Sequence, residues 1–195
     1  MAAPNESDAA SSASAGGRPD VDLTGDGAAA PALRVRRIAA DEGPHLRQVR
    51  LDAIADSPGT FTTNLEAAAA RPAEAWMRVA EAHSSAGDQA TWFAEVGEAT
   101  AGMVSAFRTD DGAVTMTSLW SAPGFRQRGV ADALVAEVHA WAVRGGATEI
   151  RQWLVERNAH ARAFHESLGF LPTGFERPYE PAPELREVEL RLPLS

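Results

Sequence analysis

The run Pro123-Gly124-Phe125-Arg126-Gln127-Arg128-Gly129-Val130-Ala131-Asp132-Ala133-Leu134 joins an apolar, β-branched segment (Ala113 to Ser121) to a long amphipathic pattern. A glycine-containing turn between a strand and a helix leaves backbone N–H groups free to meet an anion. The positive end of the helix dipole stands behind them. Arg126 and Arg128 add fixed charge and forked donors suited to phosphate oxygens. The chemistry on offer is the cradling of a pyrophosphate. Two other common cradles are missing from the run, since neither G-x-x-x-x-G-K-[ST] nor G-x-G-x-x-G occurs.

A second constellation is Asn158-x-x-Ala161-x-x-Phe164-His165-Glu166-x-Leu168-Gly169-Phe170. Asn158 suits a helix N-cap and Gly169 a left-handed C-terminal residue, while Ala161, Phe164 and Leu168 form a core stripe. His165 is the titratable group of this segment. His160 and His165 lie five apart, off a shared helix face, and H-E-x-x-H is absent, so no metal site is expected. The absence of G-x-S-x-G disfavours a hydrolase.

These residues need a scaffold. The pattern predicts a strand over Leu33 to Ile38, a helix capped by Asp41 and carrying Leu46, Val49, Leu51 and Ile54, and a break at Ser57-Pro58-Gly59. A second helical stretch reaches Trp76, Val79 and Ala80. Thr91 to Val96, Ala101 to Phe107 and Ala113 to Ser121 read as three antiparallel strands, with turns at Gly97-Glu98 and Asp110-Asp111-Gly112. Val130, Leu134, Val138 and Trp141 recur at helical spacing, and Gly145-Gly146 ends that helix. A strand over Glu149 to Val155, the Asn158 to Leu168 helix, and strands over Thr173 to Arg177 and Glu187 to Leu192 complete the order. It is β-α-α-β-β-β-α-β-α-β-β, an α/β (α+β) class with a mixed sheet of about seven strands and helices on both faces.

Composition narrows the function. The 195 residues suit one domain, expected over 32–195, behind an Ala/Ser/Gly/Asp/Pro-rich tail at 1–31 that is too poor in apolar residues to order itself. No cysteine is present, which excludes thiolate metal sites and cysteine nucleophiles. The net charge of −9 argues against nucleic-acid binding and suits a cationic acceptor. No apolar run is long enough for a membrane span and no secretory signal opens the chain, so a cytoplasmic protein is expected.

The match Arg126-x-x-Gly129-x-Ala131 resembles the R/Q-x-x-G-x-G/A signature of the GNAT superfamily, the GCN5-related N-acetyltransferases. Asn158 to Phe170 resembles the N-x-x-A-x-x-x-Y-x-x-x-G-F that commonly ends the GNAT core. Leu51 to Phe61, with Asp56-Ser57-Pro58, is similar to the A-L-x-D-S-P-x-A-F segment of one GNAT subgroup, and Leu119 to Pro123 to the strand end before its cradle. The resemblance runs from about Leu33 to Leu194.

It implies an N-acetyltransferase that passes acetyl from acetyl-CoA directly to a primary amine of a small molecule or peptide. Leu119, Trp120 and Ser121 would offer backbone groups to the pantetheine arm and thioester. Gln127, Arg128, Gly129, Val130, Ala131 and Asp132 would hold the pyrophosphate, mostly through backbone N–H groups. Arg126 is either a further contact or a solvated side chain. Asn158 would reach the pantetheine or the thiol end. His165 stands where the family usually has tyrosine, either as the acid that protonates the departing thiolate or as a side chain lining the channel. Glu156 and Glu95 are candidates for the base, which stays unassigned, and Tyr179 is the sole tyrosine. The partners implied are acetyl-CoA and an amine acceptor, and a homodimer is compatible with them. The rival reading is a non-catalytic acyl-CoA-binding module of the same fold.

Overall fold

The computed structural model describes residues 31–85 and 87–194. The tail expected at 1–31 lies, Pro31 excepted, outside them. Strands β1 (Leu33–Arg37), β2 (Gln89–Val96), β3 (Ala99–Arg108) and β4 (Val114–Ser121) pair antiparallel in that order. Strand β5 (Glu149–Val155) lies parallel to β4. Strand β7 (Arg186–Pro193) inserts between β5 and the edge strand β6 (Leu171–Pro178), antiparallel to both. The result is the mixed seven-stranded sheet that the pattern predicted, ordered β1-β2-β3-β4-β5-β7-β6.

Period-two alternation supplies both faces of the sheet. Phe93, Met103 and Trp120 point to one side and pack with Leu46, Val49 and Ile54 of α1 (Gly43–Asp56) and Trp76 of α3 (Ala73–Ser84). Their neighbours Trp92, Val104 and Met116 pack on the other side with Val130, Leu134 and Val138 of α4 (Val130–Arg144). Ala161 and Phe164 of α5 (Ala159–Ser167) pack against the same cluster. Among the described residues no helix is long and apolar enough to cross a membrane.

Two local expectations are corrected. Asp41 does not cap α1; the position before Gly43 is Glu42, with Pro44 in the first turn, where its missing N–H costs nothing. The Glu42 carboxylate takes hydrogen bonds from Arg36 (2.6 and 2.7 Å) and from the Ala39 N–H (2.7 Å). The single helical stretch expected after Leu65 is two helices, α2 (Leu65–Ala70) and α3, because Pro72 forces Arg71 out of the helical region to ψ 129°.

Candidate active site

One extra residue in β4 opens the sheet. Met103 pairs with Trp120 and Ser105 with Thr117, so Ser118 and Leu119 together oppose Val104. Ser118 has φ 58°, a left-handed conformation that marks the bulge. The parallel pairing of β4 with β5 covers only Val114↔Ile150, Thr115↔Arg151 and Met116↔Gln152, and past that point the two strands diverge. Across β4, Gly102 has no room for a side chain: a Cβ there would lie 2.5 Å from the Trp120 carbonyl oxygen. Trp120 is thereby held close against β3 as one wall of the opening.

The turn that follows forms the rim. Pro123–Phe125 makes one 3-10 turn, Gln127 and Gly129 adopt φ of 60° and 74°, and α4 begins at Val130. The first helical bond is Ala133 N–H to the Gly129 carbonyl. The six N–H groups from Gln127 to Asp132 therefore find no acceptor among the described residues. A Cβ built on Gly129 would meet nothing within 4 Å, so the space in front of the turn is open. Unpaired N–H groups at a helix start, combined with alternating left-handed residues, make an anion nest.

Asp56, at the end of α1, braces this turn. Its carboxylate accepts from the Trp120 indole N–H (2.9 Å) and from the Arg126 guanidinium, and Arg126 Nε also donates to the Ser121 carbonyl (3.2 Å). Burial acts to raise the Asp56 carboxyl, but hydrogen bonds from Trp120, Ser57 and Arg126, with the charge of Arg126, outweigh it and hold it below its usual range.

The far wall is α5. Asn158 caps it by accepting from the Ala161 N–H (3.0 Å). His165 is 2% exposed, with its ring edge-to-face with both Phe164 and Phe170. Its Nδ1 lies 2.7 Å from the Ala161 carbonyl oxygen, which can only accept, so Nδ1 carries the hydrogen. Nε2 is buried and unpartnered among the described residues. Burial pushes the imidazole below its ordinary pKa, against a smaller opposing effect of the Ala161 carbonyl. At neutral pH the ring is thus neutral with a bare lone pair at Nε2.

Two cavities meet at the splay. The larger, about 790 Å³, runs from the anion nest along β4 and β5 to Asn158 and His165. The smaller, about 240 Å³, lies on the α1 side and shares Thr60, Phe61, Ser118, Gln152 and Trp153 with the first. Arg50, Arg177 and Glu187 supply its charges. Arg177 Nε donates to Glu187 Oε2 at 2.6 Å, and Glu187 is 5% exposed. Gln152 Nε2 donates to the Trp153 carbonyl at 3.0 Å, which fixes the orientation of the amide and leaves Oε1 without a partner.

With that geometry in place, the comparison with known proteins is direct. The Acetyltransferase (GNAT) family matches residues 53–170. The chain belongs to the GNAT family of acetyltransferases. Among solved structures, yncA from Salmonella typhimurium, solved with its cofactor acetyl-CoA, superposes at a TM-score of 0.69 with 17% identity, over 84% of this chain and 95% of that one. A GCN5-related N-acetyltransferase from Kribbella flavida gives 0.66 with 21% identity, over 84% and 98%. Ribosomal-protein-alanine N-acetyltransferase from Brucella melitensis gives 0.68 with 18% identity, over 83% and 99%. At these identities the likeness is one of fold. No curated protein matches the chain in sequence.

Within this GNAT domain the residues expected to hold the cofactor fall around one cavity. Leu119, Trp120, Ser121, Arg126, Gln127, Gly129, Val130, Ala131, Asp132, Asn158 and His165 all border the larger one. Arg128 does not; its guanidinium lies 5.8 Å from the Phe125 ring centroid. Arg126 borders the cavity, yet its donors are engaged by Asp56 and Ser121. Glu95 is ion-paired with Arg36 on the β1–β2 pair and Glu156 is exposed, and neither borders either cavity. Tyr179 is buried and donates to the Phe61 carbonyl (2.6 Å), tying down the loop after α1. Sequence reasoning missed Arg50, Gln152 and Glu187. Arg50 had left a signal, standing four residues from both Leu46 and Ile54 on the buried stripe of α1.

Proposed function

We propose that this GNAT domain transfers an acetyl group from acetyl-CoA to a primary amine, in one step without an acyl-enzyme. The observation that carries this reading is the fan of six unpaired N–H groups at Gln127 to Asp132, set at the mouth of the splayed β4–β5 pair. The residues fit the cofactor. The fan and the α4 dipole suit a pyrophosphate, and the strand edge of Leu119 to Ser121, left without a β5 partner, suits the amide-bearing pantetheine arm. Because Arg126 is engaged and Arg128 is turned away, backbone donors rather than guanidinium groups would meet the phosphates. When bound, acetyl-CoA supplies the activated acyl group as a thioester. Direct transfer suits a sequence without cysteine.

The chain's own tasks are proton handling and exclusion of water. An ammonium must lose a proton before its nitrogen can attack, and Glu187 is the only carboxylate bordering the smaller cavity. It receives that proton. His165 begins neutral, so it serves as a relay rather than a ready acid: Nε2 takes the proton shed by the reacting nitrogen and hands it to the departing sulfur. Phe164 and Phe170 keep that exchange dry.

The test is an amine and peptide acceptor panel with acetyl-CoA and detection of free thiol, run beside calorimetric titration of CoA. Acceptor-dependent thiol release with the mass of an N-acetyl product is expected. Tight CoA binding with no thiol release on any amine would sink the enzyme and leave a CoA-binding module.

A further inference from the structure

The smaller cavity holds a charge that the chemistry described so far does not use. Arg50 Nη1 donates to Ser118 Oγ at 2.7 Å, and its guanidinium carbon lies 4.8 Å from the Phe61 ring centroid. Among the described residues no carboxylate lies within ion-pair distance of it, whereas Arg177, the other guanidinium that borders the cavity, is paired with Glu187. Burial, and secondarily repulsion from Arg71, brings the Arg50 pKa down to about 10, so the side chain stays charged at neutral pH. A half-buried cation without a counter-ion carries a desolvation cost, and a site that tolerates one is suited to an anion. The same cavity is lined by Gln152, whose Oε1 is unpartnered, and by the buried carboxylate of Glu187, which accepts from Arg177 through one of its two oxygens; both are acceptors. One cavity thus offers an unpaired cation and two acceptors that suit an ammonium.

Resting on the acetyltransferase reading above, we propose that the acceptor is an amino-acid-sized zwitterion. Arg50 holds its carboxylate, while Gln152 Oε1 and Glu187 receive its ammonium. A cavity of about 240 Å³ has room for a free amino acid. Arg50 contributes a specificity contact and no chemistry. Its two attachments, to Ser118 and to the Phe61 face, hold the fork in place before the ligand arrives.

The experiment titrates the CoA-saturated protein with the twenty standard L-amino acids and with their carboxamides, by calorimetry, and follows thiol release from acetyl-CoA with the same set. At least one acid should bind about tenfold or more tighter than its own amide, the range expected of a charged hydrogen-bonded pair. In Arg50→Met that preference should collapse to within about twofold, and Arg50→Lys should restore part of it. Equal binding of acid and amide, binding of no acid, or a preference that survives Arg50→Met would overturn the proposal. The two readings fail separately. Thiol release with amides as readily as with acids removes the carboxylate site and keeps acetyl transfer. Acid-selective binding without thiol release keeps the site and removes the reaction.

Discussion

Gly129→Ala isolates what the left-handed turn does for cofactor binding. Gly129 sits at φ 74° and ψ 10°, directly before α4, and a Cβ there would enter open space. Steric clash with neighbours is therefore excluded, and only the backbone conformation is penalised. An L-residue in this region costs about 1–2 kcal/mol relative to glycine. The chain can absorb that cost as lost stability, or relax the turn and scatter the N–H groups of Gln127 to Asp132. In the second case affinity for acetyl-CoA falls by about 5- to 30-fold, the equivalent of the same free energy. The assay is calorimetric titration with CoA and, in parallel, with pantetheine, which lacks the pyrophosphate. Loss should appear for CoA and not for pantetheine, and Gly129→Asn, which tolerates the left-handed region better, should recover part of it. Urea denaturation of the same variants reports how much of the penalty is taken as stability. CoA affinity and stability both unchanged in Gly129→Ala would refute the assignment of the nest.

Two further outcomes concern the protons. If His165 works as a relay from its neutral form, turnover should fall as pH drops through a pKa below the ordinary imidazole value of about 6.5, because protonation fills Nε2. The stability linked to this neutral ring has the same sign, being present above the unfolded-state pKa and lost as pH falls through the lowered folded one. His165→Phe should remove that acid limb and lower turnover while sparing CoA affinity, and an identical pH profile in the variant rules the relay out. Glu187→Gln should lower turnover by about 100-fold with CoA affinity unchanged, as befits loss of a proton acceptor; a change under about threefold in single-turnover rate acquits Glu187.

The element order and the strand-to-helix turn before α4 were legible because their signals are local. Glycine turns, a strand-to-helix junction and period-two alternation are read within a few residues, and Gly97, Gly112, Gly129 and Gly169 all adopt positive φ. The Asn158 cap is equally local. What stayed hidden depends on contacts distant in sequence. Arg126 stood open between a phosphate contact and a solvated side chain, and it is Asp56, 70 residues away, that engages it. Glu187 read as an ordinary strand residue, yet β7 is an interior strand, and its pairing with Val155 on one side and Arg177 on the other buries the carboxylate beside the cavity. Glu156 lay nearer the motifs in sequence, yet neither it nor Glu95 borders either cavity. The break of α2 from α3 was readable at Pro72, where the rule for the residue before proline decides it.

The bulge and α1 together explain why two sites so different in chemistry keep a fixed relation. Ser118 is the residue whose left-handed φ turns β4 away from β5, and its hydroxyl accepts from Arg50 on α1. Six residues further along the same helix, Asp56 accepts from Trp120 and from Arg126 of the cofactor-side turn. At about 1.5 Å per residue these two fastenings lie about 9 Å apart along a rigid rod. One clamps β4 at the smaller cavity and the other at the mouth of the nest. Displacing α1 would therefore move both cavities at once, and loosening either fastening would let them drift relative to each other. The direct transfer proposed above needs nitrogen and thioester carbon aligned to within a fraction of an ångström at a stage when no covalent bond holds them. In this fold that alignment is carried by a helix pinned twice to a single irregular strand.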